Sequence, residues 1–356
     1  MTVSALLSRA LVAFTIELDN EAEHRLPHRT TESDLKGSGP WLASLVMWLN
    51  CLQFVAAGEL SLAEVEARAG TKTNWDGMRR WGYVTLDGAG ARGSRVSTRL
   101  TTRVRATSAG LGAAAIWRPL PNEIEQRWRD RFGGAIIDNL CAALGDVIGR
   151  SEFRLPVCLP ILRYGLFCPE PIAAHEAPNA RDADACLVVL LSQALVMFAL
   201  DFEHNWPLSL AICANILPAL GEEPTRLADL PGLTGVSKAA IDMAIGFLAK
   251  QGQVDLGHDG AARRSKTVRL TSRGESAKTR STDRLAEVEQ IWRARFGAER
   301  IEAIREPLIR LAGNDRRELL AGIRSYPEGW RARSPAPGRL PDFPMVLHRG
   351  GFPDGS

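Results

Sequence analysis

The side chains with the most to offer chemically in this 356-residue chain are cations set around two short helical stretches. Ser237 and Lys238 open one stretch, and Arg263, Arg264 and Lys266 follow in a segment, 260–274, that holds no acid. An earlier set repeats the theme: Lys72, Thr73, Asn74 and Arg79, then Arg92, Arg95 and Arg99 in an acid-free run, 88–122. Lysine and arginine suit phosphate oxygens, while asparagine and arginine can pair with adenine and guanine edges. A basic run alone reads as a solvated loop. Attachment to a pair of helices is what makes these residues candidates for contact with double-stranded DNA.

Other chemistries are poorly served. His24 and His28 stand near Glu21 and Glu23, but Pro27 breaks the helix that would bring both rings to one face, so no metal is expected. The chain has no phosphate-binding loop, dinucleotide fingerprint, nucleophile elbow or zinc-protease motif, and the expectation is a protein that is not an enzyme and needs no cofactor. The six cysteines include no C-x-x-C pair and sit mostly in apolar runs, as reduced, buried thiols do.

The elements that must position the second basic set lie within residues 227–274. Leu227, Leu230 and Leu233 recur at helical spacing, Gly235 ends that helix, and Ser237 caps the next. Ile241, Ala244, Ile245 and Leu248 form one apolar face, leaving Lys238, Ala239 and Asp242 outward. After Gly252, residues 253–256 and 267–270 suit strands, with a turn over 257–265. A helix pair followed by a hairpin describes a winged helix-turn-helix.

Self-comparison shows this order twice. LLSRALVAFTIELDNE from Leu6 matches LLSQALVMFALDFEHN from Leu190, and SLVMWLNCLQFV from Ser44 matches SLAICANILPAL from Ser209, setting Asn50 against Asn215. Thr71-Lys72 corresponds to Ser237-Lys238, and IEQRWRDRFG from Ile124 matches VEQIWRARFG from Val288. The divisions that follow are a first repeat at 1–148, a Pro/Ala-rich linker at 149–189, a second repeat at 190–312 and an Arg/Pro/Gly-rich tail at 313–356, whose Phe343, Met345, Val346 and Leu347 are apolar enough to dock. The first repeat has a shorter second helix, TKTNWDGMRRWG, in which Trp75 and Met78 face the core.

Asp259, Arg263, Arg264, Val268, Leu270, Thr271 and Gly274 stand in a D-x-x-x-R-R…V-x-L-T-x-x-G pattern. With the duplicated helix order, that pattern resembles the MarR family of bacterial transcription regulators. The resemblance implies a mainly α fold with small β-hairpin wings (α+β), its tandem winged helix-turn-helix repeats closing into an intramolecular pseudo-dimer. Residues 5–18, 187–200, 124–132 and 288–296 would form the seam. It further implies a cytoplasmic repressor that binds double-stranded DNA and is released by a small-molecule effector, as a monomeric pseudo-dimer or a further homodimer. No motif marks an effector pocket; by their place in the first two helices of each repeat, His24, Trp41, Trp48, Asn50 and Trp206 are its candidate walls.

Composition leaves an alternative open. A hydrophobic fraction of 45% and a charged fraction of 24% are those of an ordinary globular protein, and no apolar run is long enough to span a membrane. The net charge of +3 is too small to argue for nucleic acid by itself. Together with Asp242 on the second helix and the short first one, it fits a ligand-binding or protein-interaction module that keeps the fold without reading bases.

Overall fold

The computed structural model describes residues 1–28, 41–69, 73–87, 101–151, 155, 186–259, 262–312, 317–329, 332 and 338–345; of 46, 259, 262–265 and 317 it describes the backbone alone. Among the described residues the chain is mainly helical, with two small antiparallel sheets.

The first half runs α1 (Val3–Arg25), then α2 (Leu45–Met47), a π-helical turn at Trp48–Leu52 and α3 (Gln53–Val55). β1 (Leu60–Ser61), α4 (Leu62–Ala69), α5 (Trp75–Arg80), β2 (Val84–Leu86) and β3 (Arg103–Ala106) follow, then α6 (Ser108–Trp117), α7 (Leu120–Phe132) and α8 (Gly134–Ile148). The second half repeats the order with α9 (Leu187–Glu203), a π-helical turn at Ile212–Ile216 and β4 (Thr225–Arg226). It continues through α10 (Leu230–Thr234), α11 (Lys238–Lys250), β5 (Val254–Asp259), β6 (Ala262–Leu270), α12 (Ser272–Phe296) and α13 (Ala298–Ala312). A last helix, α14 (Arg317–Gly322), belongs to the tail. The sheets have the same topology, β1-β3-β2 and β4-β6-β5, each with the last strand in the middle.

The core lies between the halves. α1 packs on α9, α8 packs on α13, and the cross pairs α1–α13 and α8–α9 also touch. Every residue of α1 from Val3 to Glu23 is buried, so this helix has no solvent face at all and runs through the centre.

Matching anchors hold each half to that core. Trp128 Nε1 donates to Glu17 at 3.0 Å, and Arg131 donates to both Glu17 oxygens at 2.7 and 3.0 Å. In the second half Trp292 Nε1 donates to Asp201 at 2.8 Å, and Arg295 reaches the same carboxylate at 2.9 and 3.2 Å. Phe14 meets Trp128 edge-on at 5.0 Å, as Phe198 meets Trp292 at 5.1 Å. A buried carboxylate is tolerable when an arginine and an indole N–H satisfy it, and here the same solution occurs twice.

A second matched pair joins hairpin to helix. Thr107 and Thr271 cap α6 and α12 by accepting from Gly110 N and Gly274 N, each at 3.1 Å, and their hydroxyls donate to the Gly82 and Gly252 carbonyls. A Cβ at Gly110 would lie 2.3 Å from the Tyr83 carbonyl oxygen, and one at Gly274 2.0 Å from that of Gln253. This close approach gives the Thr-x-x-Gly part of the sequence pattern its physical reason.

Several expectations need correction. The second hairpin is longer than 253–256 with 267–270: its strands pair out to Asp259 and Ala262, so Arg263 and Arg264 lie on β6 rather than in a turn, and Lys266 lies on the same strand. Leu233 is 48% exposed, because α10 is only five residues long and turns just Leu230 and Thr234 inward. α5 is capped by Asn74, not by Thr71-Lys72, and starts at Trp75. Where the second half has one continuous α12, the first breaks at Pro119 into α6 and α7, since proline there supplies no N–H. α9 begins at Leu187, inside the stretch assigned to the linker, most of which lies outside the described residues.

Candidate nucleic-acid interface

Ser237 opens α11 with its hydroxyl accepting from Ala240 N at 3.3 Å, and Gly235 turns the chain into that cap at φ 73°. Ile241, Ala244, Ile245 and Leu248 are buried, which leaves Lys238, Ala239 and Asp242 exposed as their spacing requires. Lys238 is ion-paired with Asp242 one turn along. The outward face of α11 therefore carries one locally compensated cation, small side chains and, at its far end, Lys250. That is a face able to lie close to another surface but with little to hydrogen-bond to base edges.

The first half presents a different face. Asn74 Oδ1 accepts from Gly77 N at 3.0 Å as the N-cap of α5, and Thr73 Oγ1 donates to the Asn50 carbonyl at 3.0 Å. Both residues are thus engaged in holding the helix. Arg79 is mostly buried, with its guanidinium 3.8 Å from Asp76. Sequence reasoning missed Arg80, which is exposed and rests over the Trp81 ring at 5.9 Å. Its signal was the Arg-Arg-Trp run, read only for Arg79. Lys72, Arg92, Arg95 and Arg99 lie outside the described residues.

Charge along the hairpins looks different in space from its look along the chain. Arg103 and Arg105 belong to the acid-free run, yet Arg105 bonds Glu59 and stands 3.6 Å from Asp87, and Arg103 stands 3.7 Å from Glu59 and 3.6 Å from Glu64. The Arg105 guanidinium holds the Glu59 carboxyl below its ordinary range. In the second hairpin Arg269 faces Asp255 at 3.3 Å across the ladder, while Lys266 and Arg273 are exposed. Acids brought in by β1, α4 and the partner strand partly cancel arginines that the sequence shows without neighbours. Exposed pairs of this kind are weak and screened by salt, so a phosphate can compete for such an arginine.

The five candidate pocket residues are spread over both halves of the chain. Trp48 and Asn50 are buried in the π-helical turn, and Trp41 is 47% exposed with its carbonyl accepting from the Tyr83 hydroxyl. Trp206 packs edge-on against Phe202 at 5.9 Å in the other half. His24 stacks on Tyr326 at 4.0 Å and bonds Glu328 at 3.0 Å, on the wall of a cleft of about 310 Å³ shared with Asn20, Glu23 and His28. The tail supplies Tyr326 and Glu328, a contribution no helix periodicity could show.

Cys51 and Cys213 are buried, and burial pushes both thiols up, that of Cys213 to about 12. Cys141 is raised to about 12 for the same reason. None of these is an activated thiolate. Among the described residues no helix is long and apolar enough to cross a membrane. Compared with family models, with curated proteins and with solved structures, the chain matches none.

Proposed function

We propose that this protein is a sequence-specific, double-stranded DNA-binding transcription regulator, built as two winged helix-turn-helix units on one intramolecular pseudo-dimeric core. The observation that carries the reading is the duplication in space: each half sets a helix pair and a three-stranded hairpin sheet on a core shared by α1, α8, α9 and α13. Two such units fixed on one scaffold suit two successive grooves of one DNA duplex. Arg263, Arg264 and Lys266 on β6 contact phosphates or the minor groove, and the N-termini of α5 and α11 enter major grooves. As a repressor it is released when a small effector shifts the spacing of the units.

A second reading is favoured by the Lys238–Asp242 pair and the acid-compensated Arg103 and Arg105: a fold that kept its shape and binds a ligand or protein instead. Fluorescence anisotropy with the DNA upstream of the protein's own gene, against scrambled DNA and across a salt series, separates the two. A regulator prefers the upstream fragment; weak binding that is equal for both and lost at moderate salt supports the second reading.

A further inference from the structure

The tail returns to the body at residues 338–345, and its contacts come from both halves at once. Ser8 Oγ donates to the Pro341 carbonyl at 2.9 Å, and Arg9, 4% exposed, grips Asp342 with Nε at 2.9 Å and a terminal nitrogen at 2.6 Å. These are residues of α1. From the second half, Asn215 reads the backbone of the same segment. Its Nδ2 donates to the Phe343 carbonyl at 2.7 Å, while its Oδ1 accepts from Asp342 N at 2.9 Å and Phe343 N at 3.2 Å.

Asn215 sits in the π-helical turn at Ile212–Ile216, a widened turn of the kind that serves function. Leu340, Phe343 and Met345 are buried to 2% exposure or less. Next to them, a Cβ at Gly235 would lie 2.3 Å from the Arg339 carbonyl oxygen. The segment thus lies against the very turn between α10 and α11.

We propose that the notch formed by Ser8, Arg9, Asn215 and Gly235 is a recognition site for an Asp-Phe peptide bent over Asn215, filled in cis by residues 338–345 as a strap that fixes the α10–α11 pair to the core. Prolines at 341 and 344 fix their own φ and offer no N–H to a sheet, so the free segment has fewer conformations to lose on entering the notch. Asn215 satisfies three main-chain groups, its one carbonyl oxygen taking the two successive N–H groups that a bend turns to the same side, and Arg9 selects the acid that precedes the aromatic ring. When the strap is in place, the pose of the second unit is tied to α1. When it leaves, α10 and α11 lose this anchor to the core. The strap governs the pose of this unit whatever the unit binds.

Hydrogen exchange on the full-length chain tests it without DNA. In an Asp342→Ala, Phe343→Ala double variant, amides of residues 230–250 should exchange at least tenfold faster than in the parent, while α12 and α13 exchange as before. A synthetic peptide of sequence GRLPDFPM, added in trans, should restore protection, and GRLPAAPM should not. Asn215→Ala should show the same loosening with no rescue by either peptide. Unchanged exchange at 230–250, loosening spread evenly over the chain, or equal rescue by both peptides would overturn the proposal.

Discussion

The two halves share their inner anchors and differ at their outer faces. Glu17 with Trp128 and Arg131 has its counterpart in Asp201 with Trp292 and Arg295, down to the edge-on phenylalanine. The exposed helices, by contrast, run six residues in α5 and thirteen in α11. The lesson is about constraint. A buried carboxylate needs its particular donors, whereas an exposed helix face answers only to whatever it touches.

That contrast can be broken where the packing is tightest. Gly110→Ala and Gly274→Ala should each destabilise by about 3 kcal/mol, the upper end for overpacking, because the obstacle in both halves is backbone. Equal losses in denaturant midpoint would show the two hairpin joints to be equivalent; a harmless Gly274→Ala would refute the close approach.

The acids should rank by exposure. Glu17 is 3% exposed and its Arg131 25%, against 12% and 43% for Asp201 and Arg295. Glu17→Ala strands the half-buried Arg131 and leaves the buried Trp128 N–H without its acceptor, and should cost about 3 kcal/mol. Asp201→Ala, with water able to reach Arg295, should cost about 1–2 kcal/mol. Chemical unfolding of both variants checks the order.

A pH effect is expected in one half. Glu203 accepts the Leu210 amide at 2.8 Å, and burial pushes its carboxyl from 4.5 up to about 8. The folded acid holds its proton where the unfolded one has lost it. Its contribution is therefore complete below about pH 4.5 and declines as pH rises toward 8. Glu203→Gln should flatten the fall of melting temperature over that window; an unaltered slope would assign the dependence to other groups.

The smallest effects concern the hairpins. Arg263→Ala with Arg264→Ala should weaken DNA binding for every sequence and lower the salt slope by about 1 per lost phosphate contact. Arg103→Ala with Arg105→Ala should do less, since those arginines already face Glu59, Glu64 and Asp87. Titrations at several salt concentrations compare the pairs.

Much of the helical scaffold was legible in the sequence, because periodicity and caps are local. Ser237, Gly235 and the Ile241–Leu248 face appear where their spacing put them. The Trp-Arg-x-Arg-Phe-Gly repeat was visible too, though not its purpose, since Glu17 and Asp201 lie more than a hundred and about ninety residues away from their partners. The candidate site was less legible for the same reason. Charge compensation of Arg105 by Glu59 spans 46 residues, and the strap contacts span up to 333. The capping role of Asn74 was hidden because a residue suited to adenine is equally suited to an N-cap.

The central claim is that one chain places two DNA-binding units on one duplex. Hydroxyl-radical footprinting of the monomeric protein on its upstream DNA tests it directly. Two protected patches about 10 base pairs apart, centre to centre, with one chain per duplex, are the expected result. A single patch, or protection that is uniform and fades with modest salt, would contradict it.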